Sequence, residues 1–193
     1  SENTAEGTYG QYGHIVSFDT GGITVADGSG KHTNTDGEDY VAWCLKANGG
    51  TTSSNTDGSS TSTVQVNSDA GFSIVKYVGN QTAGHTIGHG LGEVPEVIML
   101  KCLDSTNPWY VYHVGVDASN PANYNLRLNE LDARQDSTTE FNDTEPTSTV
   151  FTLGTTTGTN KTGDDYIAYC FKSIDGFSKF GSYTGNSSNN GPI

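Results

Sequence analysis

Apolar and polar residues alternate along this chain in short runs separated by Gly, Asn, Asp and Pro, the pattern of strands joined by polar turns. The clearest run is DYVAWCLK at 39–46, which places Tyr40, Ala42 and Cys44 on one face and Val41, Trp43 and Leu45 on the other. Both faces are apolar, which predicts a central strand covered on both sides. The run recurs as DYIAYCFK at 165–172, where Tyr166, Ala168 and Cys170 repeat the first face and Ile167, Tyr169 and Phe171 the second. Small residues on one face predict close approach of another layer there, with rings filling the opposite side. A helix is the poorer reading, because the run is short and the first copy ends at Asn48-Gly49-Gly50.

Further strands follow by the same alternation. EVPEVIMLKC sets Val97, Met99 and Lys101 against Ile98, Leu100 and Cys102; PWYVYHV sets Trp109, Val111 and His113 against Tyr110 and Tyr112. NYNLRLN predicts Tyr124, Leu126 and Leu128 on one face, with Asn125 and Arg127 outward. STVFTLG precedes the closing strand, and NELDARQDSTTEFND reads mainly as a long loop with one short helical turn at most. Short strands at this spacing predict an all-β chain, an antiparallel β-sandwich or jelly roll.

The repetition extends beyond one strand. GFSIVKYVGN at 71–80 returns as GFSKFGSYTGN at 176–186, and a Thr/Gly-rich run precedes each copy of the first motif (IVSFDTGGITV and STVFTLGTTTG). The order predicts the C-terminal part of one repeat unit at 1–47 and a Gly/Ser/Thr-rich connector with a short strand at 48–70. A complete unit follows at 71–172, and the start of another at 173–193. Internal repeats indicate an array, with function spread along an axis. Residues 173–193 are expected to pair with 1–47, either of another copy or, as a permuted domain, of the same chain.

Composition agrees with short strands: Gly, Ser, Thr and Asn dominate, yet 10 Tyr, 7 Phe and 2 Trp are too many for a purely solvated chain. The net charge of −13, with nine basic residues spread throughout, argues against nucleic acid and anionic membranes as partners. Cys44, Cys102 and Cys170 lack the spacing of a disulfide framework or zinc site, and Cys44 and Cys170 read as small buried residues at matching places in the repeat. No secretory signal, lipidation motif or membrane-length apolar run is seen, so membrane insertion is not expected.

Candidate chemistry is sparse. His85 and His89 in GHTIGHGLG lie among glycines that forbid a helix, and on a strand they stand about 13 Å apart, too far for one ion. His89 is instead expected to cap the turn through Gly90 and Gly92 before Pro95, donating to backbone carbonyls. Ser, His and Asp residues lack any hydrolase signature. Glu38–Asp39 and Asp164–Asp165 read as acidic turns before the repeated strand; calcium at NTDGED or NKTGDD lacks the twelve-residue loop ending in Glu. No cofactor is expected, with calcium at one of those two acidic runs as the alternative. Tyr110 and Tyr112, if exposed, would form an aromatic platform for a glycan; Trp43, matched by Tyr169, reads as core. Asn-x-Ser/Thr triplets begin at Asn80, Asn142, Asn160 and Asn186 and matter only in a glycosylating secretory route.

GFSIVKYVGN, HTIGHGLGEVPEVIMLK, WYVYH, EFNDTEPTSTVFTLG and GDDYIAYCFKSIDGFSKFGSYTGN together resemble a repeated domain of tail-fibre and related virion structural proteins of marine and cyanobacterial phages. The resemblance runs from about residue 36. It implies a β-rich, non-enzymatic virion structural protein, most simply a tail-fibre or appendage segment acting in host attachment. Its partners would be other copies of itself, other virion proteins and a host surface glycan, and its location the virion surface, outside the cell. The competing readings are a capsid decoration protein or head fibre, and a bacterial surface carbohydrate-binding or adhesin module.

Overall fold

In a computed structural model, which describes residues 13–28, 33–188 and 190, the chain divides into two units, residues 6–45 and residues 46–193. In the first, IVSFDTGGITV is a hairpin: β1 (His14–Asp19) turns through Thr20 and Gly21 into antiparallel β2 (Gly22–Ala26). Gly21 has φ of +88°, a left-handed conformation that its missing Cβ makes accessible. The apolar side chains of β1, Ile15, Val16 and Phe18, face solvent, Phe18 at 80 % exposure, while Ile23 and Val25 of β2 are half-buried.

The first copy of the repeated strand departs from expectation. Residues 39–45 form no strand; Tyr40, Val41, Trp43 and Leu45 are exposed, Trp43 at 88 %, and Cys44 is exposed too. The reading of this run as a covered central strand, with Trp43 and Cys44 in a core, is therefore corrected. The physical reason is a missing neighbourhood: β1 and β2 are the strands described in this unit, and neither pairs with 39–45. A strand owes its burial to the strands beside it.

The second unit holds β3 (Ser53–Asn55), β4 (Ser62–Asn67), β5 (Phe72–Val78), β6 (His85–Gly88), β7 (Val97–Cys102), β8 (Tyr110–His113), β9 (Tyr124–Arg127), β10 (Gln135–Asp136), the helical turn α1 (Thr138–Phe141), β11 (Val150–Leu153), the helical turn α2 (Thr157–Asn160) and β12 (Asp165–Phe171). Eight strands form one antiparallel sheet in the order β10-β9-β8-β7-β12-β5-β4-β3, and β6 pairs with β11 as a second layer. The stretch 48–70 thus supplies two sheet strands, more than a connector with one short strand.

In this unit the second copy of the repeated run forms the predicted interior strand, fully covered on one face and half-covered on the other. β12 lies in the middle of the sheet, paired with β5 from Asp165↔Val78 to Phe171↔Phe72 and with β7 from Tyr166↔Cys102 to Phe171↔Val97. Its inner face, Tyr166, Ala168 and Cys170, is fully buried. With Val75, Tyr77, Ile98, Leu100 and Tyr112 it meets Ile87 of β6, Phe151 and Leu153 of β11 and Phe141 of α1. Ala168 and Cys170 leave room for that layer, while Tyr77 stacks on Tyr166 (centroids 5.2 Å apart) and meets Phe151 edge-on at 6.0 Å. The architecture is an all-β antiparallel sandwich. No helix among the described residues is long and apolar enough to cross a membrane.

β9 inverts its expected facing. Asn125 is fully buried, whereas Leu128, beyond the strand end, is 61 % exposed. Register explains this: Tyr110 pairs with Arg127 and Val111 with Leu126, so the inward Tyr110 carries Arg127 and Asn125 to its own side. Arg127 then lies over the Tyr110 ring, 5.5 Å from its centroid, and its charge is met by Glu130 at 2.7 Å.

The thiols provide a check on this packing. Cys102 and Cys170 are buried, and burial pushes the Cys170 thiol up to about 12. A disulfide-exchange reagent is expected to titrate one thiol per native chain, Cys44, and all three after denaturation; fast reaction of all three without denaturant would contradict the sandwich core.

Candidate functional site

β8 decides the fate of the aromatic residues. Tyr110 and Tyr112 point inward and are 6 % and 2 % exposed, so the glycan platform expected from them is corrected. Burial, then the hydrogen bond to Glu145 at 2.7 Å, raises the Tyr112 phenol well above its ordinary range. Tyr110 is walled in by Gly158, where a Cβ would fall 2.3 Å from its ring. Alternation puts Trp109 on the other face. There it lies parallel to Tyr169 (centroids 6.1 Å, 24° between planes), which parallels Phe72 (6.4 Å, 1°); Phe72 stacks on Phe171 at 4.9 Å, and Phe180 rests against Phe171 at 5.7 Å. Trp109, Tyr169, Phe171 and Phe180 are each half-buried, which leaves part of each ring for a partner. This outer-face row is the surface that sequence reasoning placed on the wrong side of β8. The signal was present, since Tyr169 belongs to the face of the repeat opposite Ala168 and Cys170.

His89 is buried at the turn assigned to it, but it caps that turn as an acceptor, and the carbonyl it donates to lies outside the turn. Its Nδ1 accepts from the Leu91 N–H at 3.2 Å, and its Nε2 donates to the Thr147 carbonyl at 3.1 Å. Gly90 and Gly92 have φ of +68° and +78°, and the buried Pro95 leads into β7. Only the neutral ring can accept at Nδ1, and burial holds its pKa below the ordinary histidine value. A depressed histidine pKa means that the unfolded chain binds the extra proton, so this contribution is complete above about pH 6.5 and is lost as pH falls toward the folded value. The unfolding midpoint is expected to drop between pH 7.5 and pH 5, and His89→Gln should flatten that drop. An equal drop in the variant would exclude His89 as its source.

A second buried cluster was not foreseen. His85 on β6 receives the Ser60 hydroxyl at Nε2 (2.8 Å), and its Nδ1 lies 2.9 Å from Asn160 Oδ1. Asn160 Nδ2 donates to the Thr82 and Gly154 carbonyls, which fixes Oδ1 as the acceptor and places the imidazole proton on Nδ1. The polarity is that of a serine–histidine relay. The surroundings differ from one: Ser60 forms a parallel bridge with Ile87 instead of standing on a sharp elbow, and the Ser59 N–H is already bound to Thr86. The arrangement ties the 59–60 segment, β6 and the end of α2 together. All four ring nitrogens of His85 and His89 are thus in use, and neither ring offers a lone pair to a metal.

The carboxylates of NKTGDD are likewise engaged. Lys161 Nζ lies 3.0 Å from both oxygens of Asp164, and Lys76 Nζ is 2.9 Å from Asp165. Among the described residues no group of three or more His, Cys, Asp or Glu side chains is placed to hold a metal ion. An open depression of about 480 Å³ is lined by Ser173 and 175–179, the start of the second GFS motif.

A protein-family model described as a domain of unknown function, DUF7483, matches residues 1–193. No curated protein and no solved structure matches the chain.

Proposed function

The chain belongs to the DUF7483 domain family over residues 1–193, and from that premise we propose that it is a non-enzymatic structural module of a phage virion, a segment of a tail fibre or similar appendage acting in host attachment. The observation that carries this reading is the duplication of one neighbouring pair of strands in the sheet, β5 and β12. β5 and β12 form that pair once, and the chain holds a further β12-like run at 39–45 and a further β5-like run at 177–183. Surplus halves of such a pair are what an array-building element needs and what an enzyme does not. The motif resemblance to phage fibre domains supplies the setting. The net charge of −13 suits an outer surface kept soluble by self-repulsion.

Purified particles of the source phage test this. Antibody against the chain should decorate the fibres; gold on the shell would shift the assignment to a capsid decoration protein or head fibre, and a chain absent from particles would end the virion reading. Labelling of Ser60 by a fluorophosphonate would overturn the non-enzymatic part.

A bacterial carbohydrate-binding or adhesin module is the second reading, favoured by the half-exposed row from Trp109 to Phe180. If it holds, a glycan-array signal should fall at least about fivefold in Trp109→Ala, since truncating a contributing interface residue costs more than about 1 kcal/mol. Tyr112→Phe, altered inside the core, should retain the signal.

A further inference from the structure

We propose that copies of this chain join head to tail, residues 39–45 of one copy pairing antiparallel with residues 177–183 of the next. The two segments are the halves of a ladder whose geometry the sheet already displays. In that ladder Phe171 faces Phe72, Cys170 faces Ser73 and Tyr166 faces Tyr77. Residues 39–45 repeat β12 position for position: Tyr40 stands for Tyr166, Cys44 for Cys170 and Leu45 for Phe171. The segment from Gly176 repeats β5, with Phe177 for Phe72, Ser178 for Ser73 and, after one extra residue at Gly181, Tyr183 for Tyr77. Transferred register sets Leu45 opposite Phe177, Cys44 opposite Ser178 and Tyr40 opposite Tyr183. Gly181 occupies the bulge that an extra residue demands.

Both segments stand outside the strands of their own units, and all their rings but Phe180, which rests half-buried against Phe171, face solvent. Tyr40 is 50 % exposed, Phe177 72 % and Tyr183 83 %, and the described backbone of 173–190 carries one bridge, Ile174↔Ser178. Unpaired strand-forming runs rich in Tyr, Trp and Phe are templates for another chain. The occupant is a second copy because each copy carries both halves, so one joint leaves a free half at either end and the assembly extends. A two-stranded ladder alone is marginal in water, so the joint is concentration-dependent and best trapped covalently.

The test uses the one exposed native thiol. Ser178→Cys, mildly oxidised at high protein concentration, is expected to give a ladder of multiples of the 20.4 kDa chain on a non-reducing gel, collapsing to monomer with dithiothreitol. Cys44→Ser in the same chain should abolish the ladder. Lys179→Cys should cross-link about tenfold less, because neighbouring side chains on a strand face opposite ways. In unmodified protein, the weight-average mass by sedimentation should rise with concentration, and Trp43→Asp or Phe177→Asp, both at exposed positions, should hold it at the monomer. A cross-link confined to single chains, equal cross-linking at 178 and 179, or monomer at every concentration would each overturn the proposal.

Discussion

Asn160→Ala is expected to lower the unfolding free energy by about 3–5 kcal/mol, since each buried polar group left without a partner costs about 1–3 kcal/mol. Asn160 is fully buried and uses both ends of its amide: Oδ1 accepts from the Asn80 N–H and from His85, and Nδ2 donates to Thr82 and Gly154. Alanine strands all four groups at once, at the point where the 79–82 turn, β6 and α2 meet. Asn160→Asp is the sharper variant. It keeps the shape but aims a carboxylate at two carbonyl oxygens, so it should be at least as damaging as alanine despite near-identical volume. His85→Ala removes one of these bonds and should cost less than either. Urea denaturation of the three variants decides the matter; Asn160→Asp within 1 kcal/mol of the parent, about one ordinary hydrogen bond, would show that the amide does not hold the network.

Tyr166→Ala is the second large effect, about 3–5 kcal/mol by analogy with other buried aromatic deletions. The ring is fully buried against Tyr77, and its hydroxyl donates to the Thr157 carbonyl at 2.7 Å while accepting from the Lys161 N–H at 2.8 Å. Tyr166→Phe should lose only the hydroxyl's share, about 1–3 kcal/mol for the groups it leaves unpartnered. Tyr40→Ala, at the same place in the first copy of the motif, should leave the stability of dilute protein within about 0.5 kcal/mol, as surface substitutions do. Thermal or urea melts of the pair place one sequence motif in two surroundings. Equal losses at Tyr40 and Tyr166 would mean that 39–45 is covered in dilute solution, contrary to its exposure.

Much of the sheet was legible in the alternation of residues. β7, β8 and β12 follow runs read directly from the sequence, and β12 has the predicted inner face because its neighbours supply a layer there. The turn at His89 was legible too, since glycine at positive φ leaves a mark in composition. Where reading failed, the cause was a neighbour. Period-two alternation separates Tyr110 and Tyr112 from Trp109 without saying which set faces inward; the pairing of β8 with β7, Leu100 opposite Tyr110, decides that. Asn125 turned inward because register with β8 outweighed its own polarity. The cluster of Ser60, His85 and Asn160 draws on residues as much as 100 positions apart, and no local pattern announces it.

Composition, alternation and repetition were enough to establish an acidic all-β chain with duplicated strands, because strand period and turn chemistry are local properties of the backbone. The fold alone settled that DYIAYCFK is core while DYVAWCLK stands in solvent. Burial belongs to the partners that surround a strand, and only the second copy has them within its own unit.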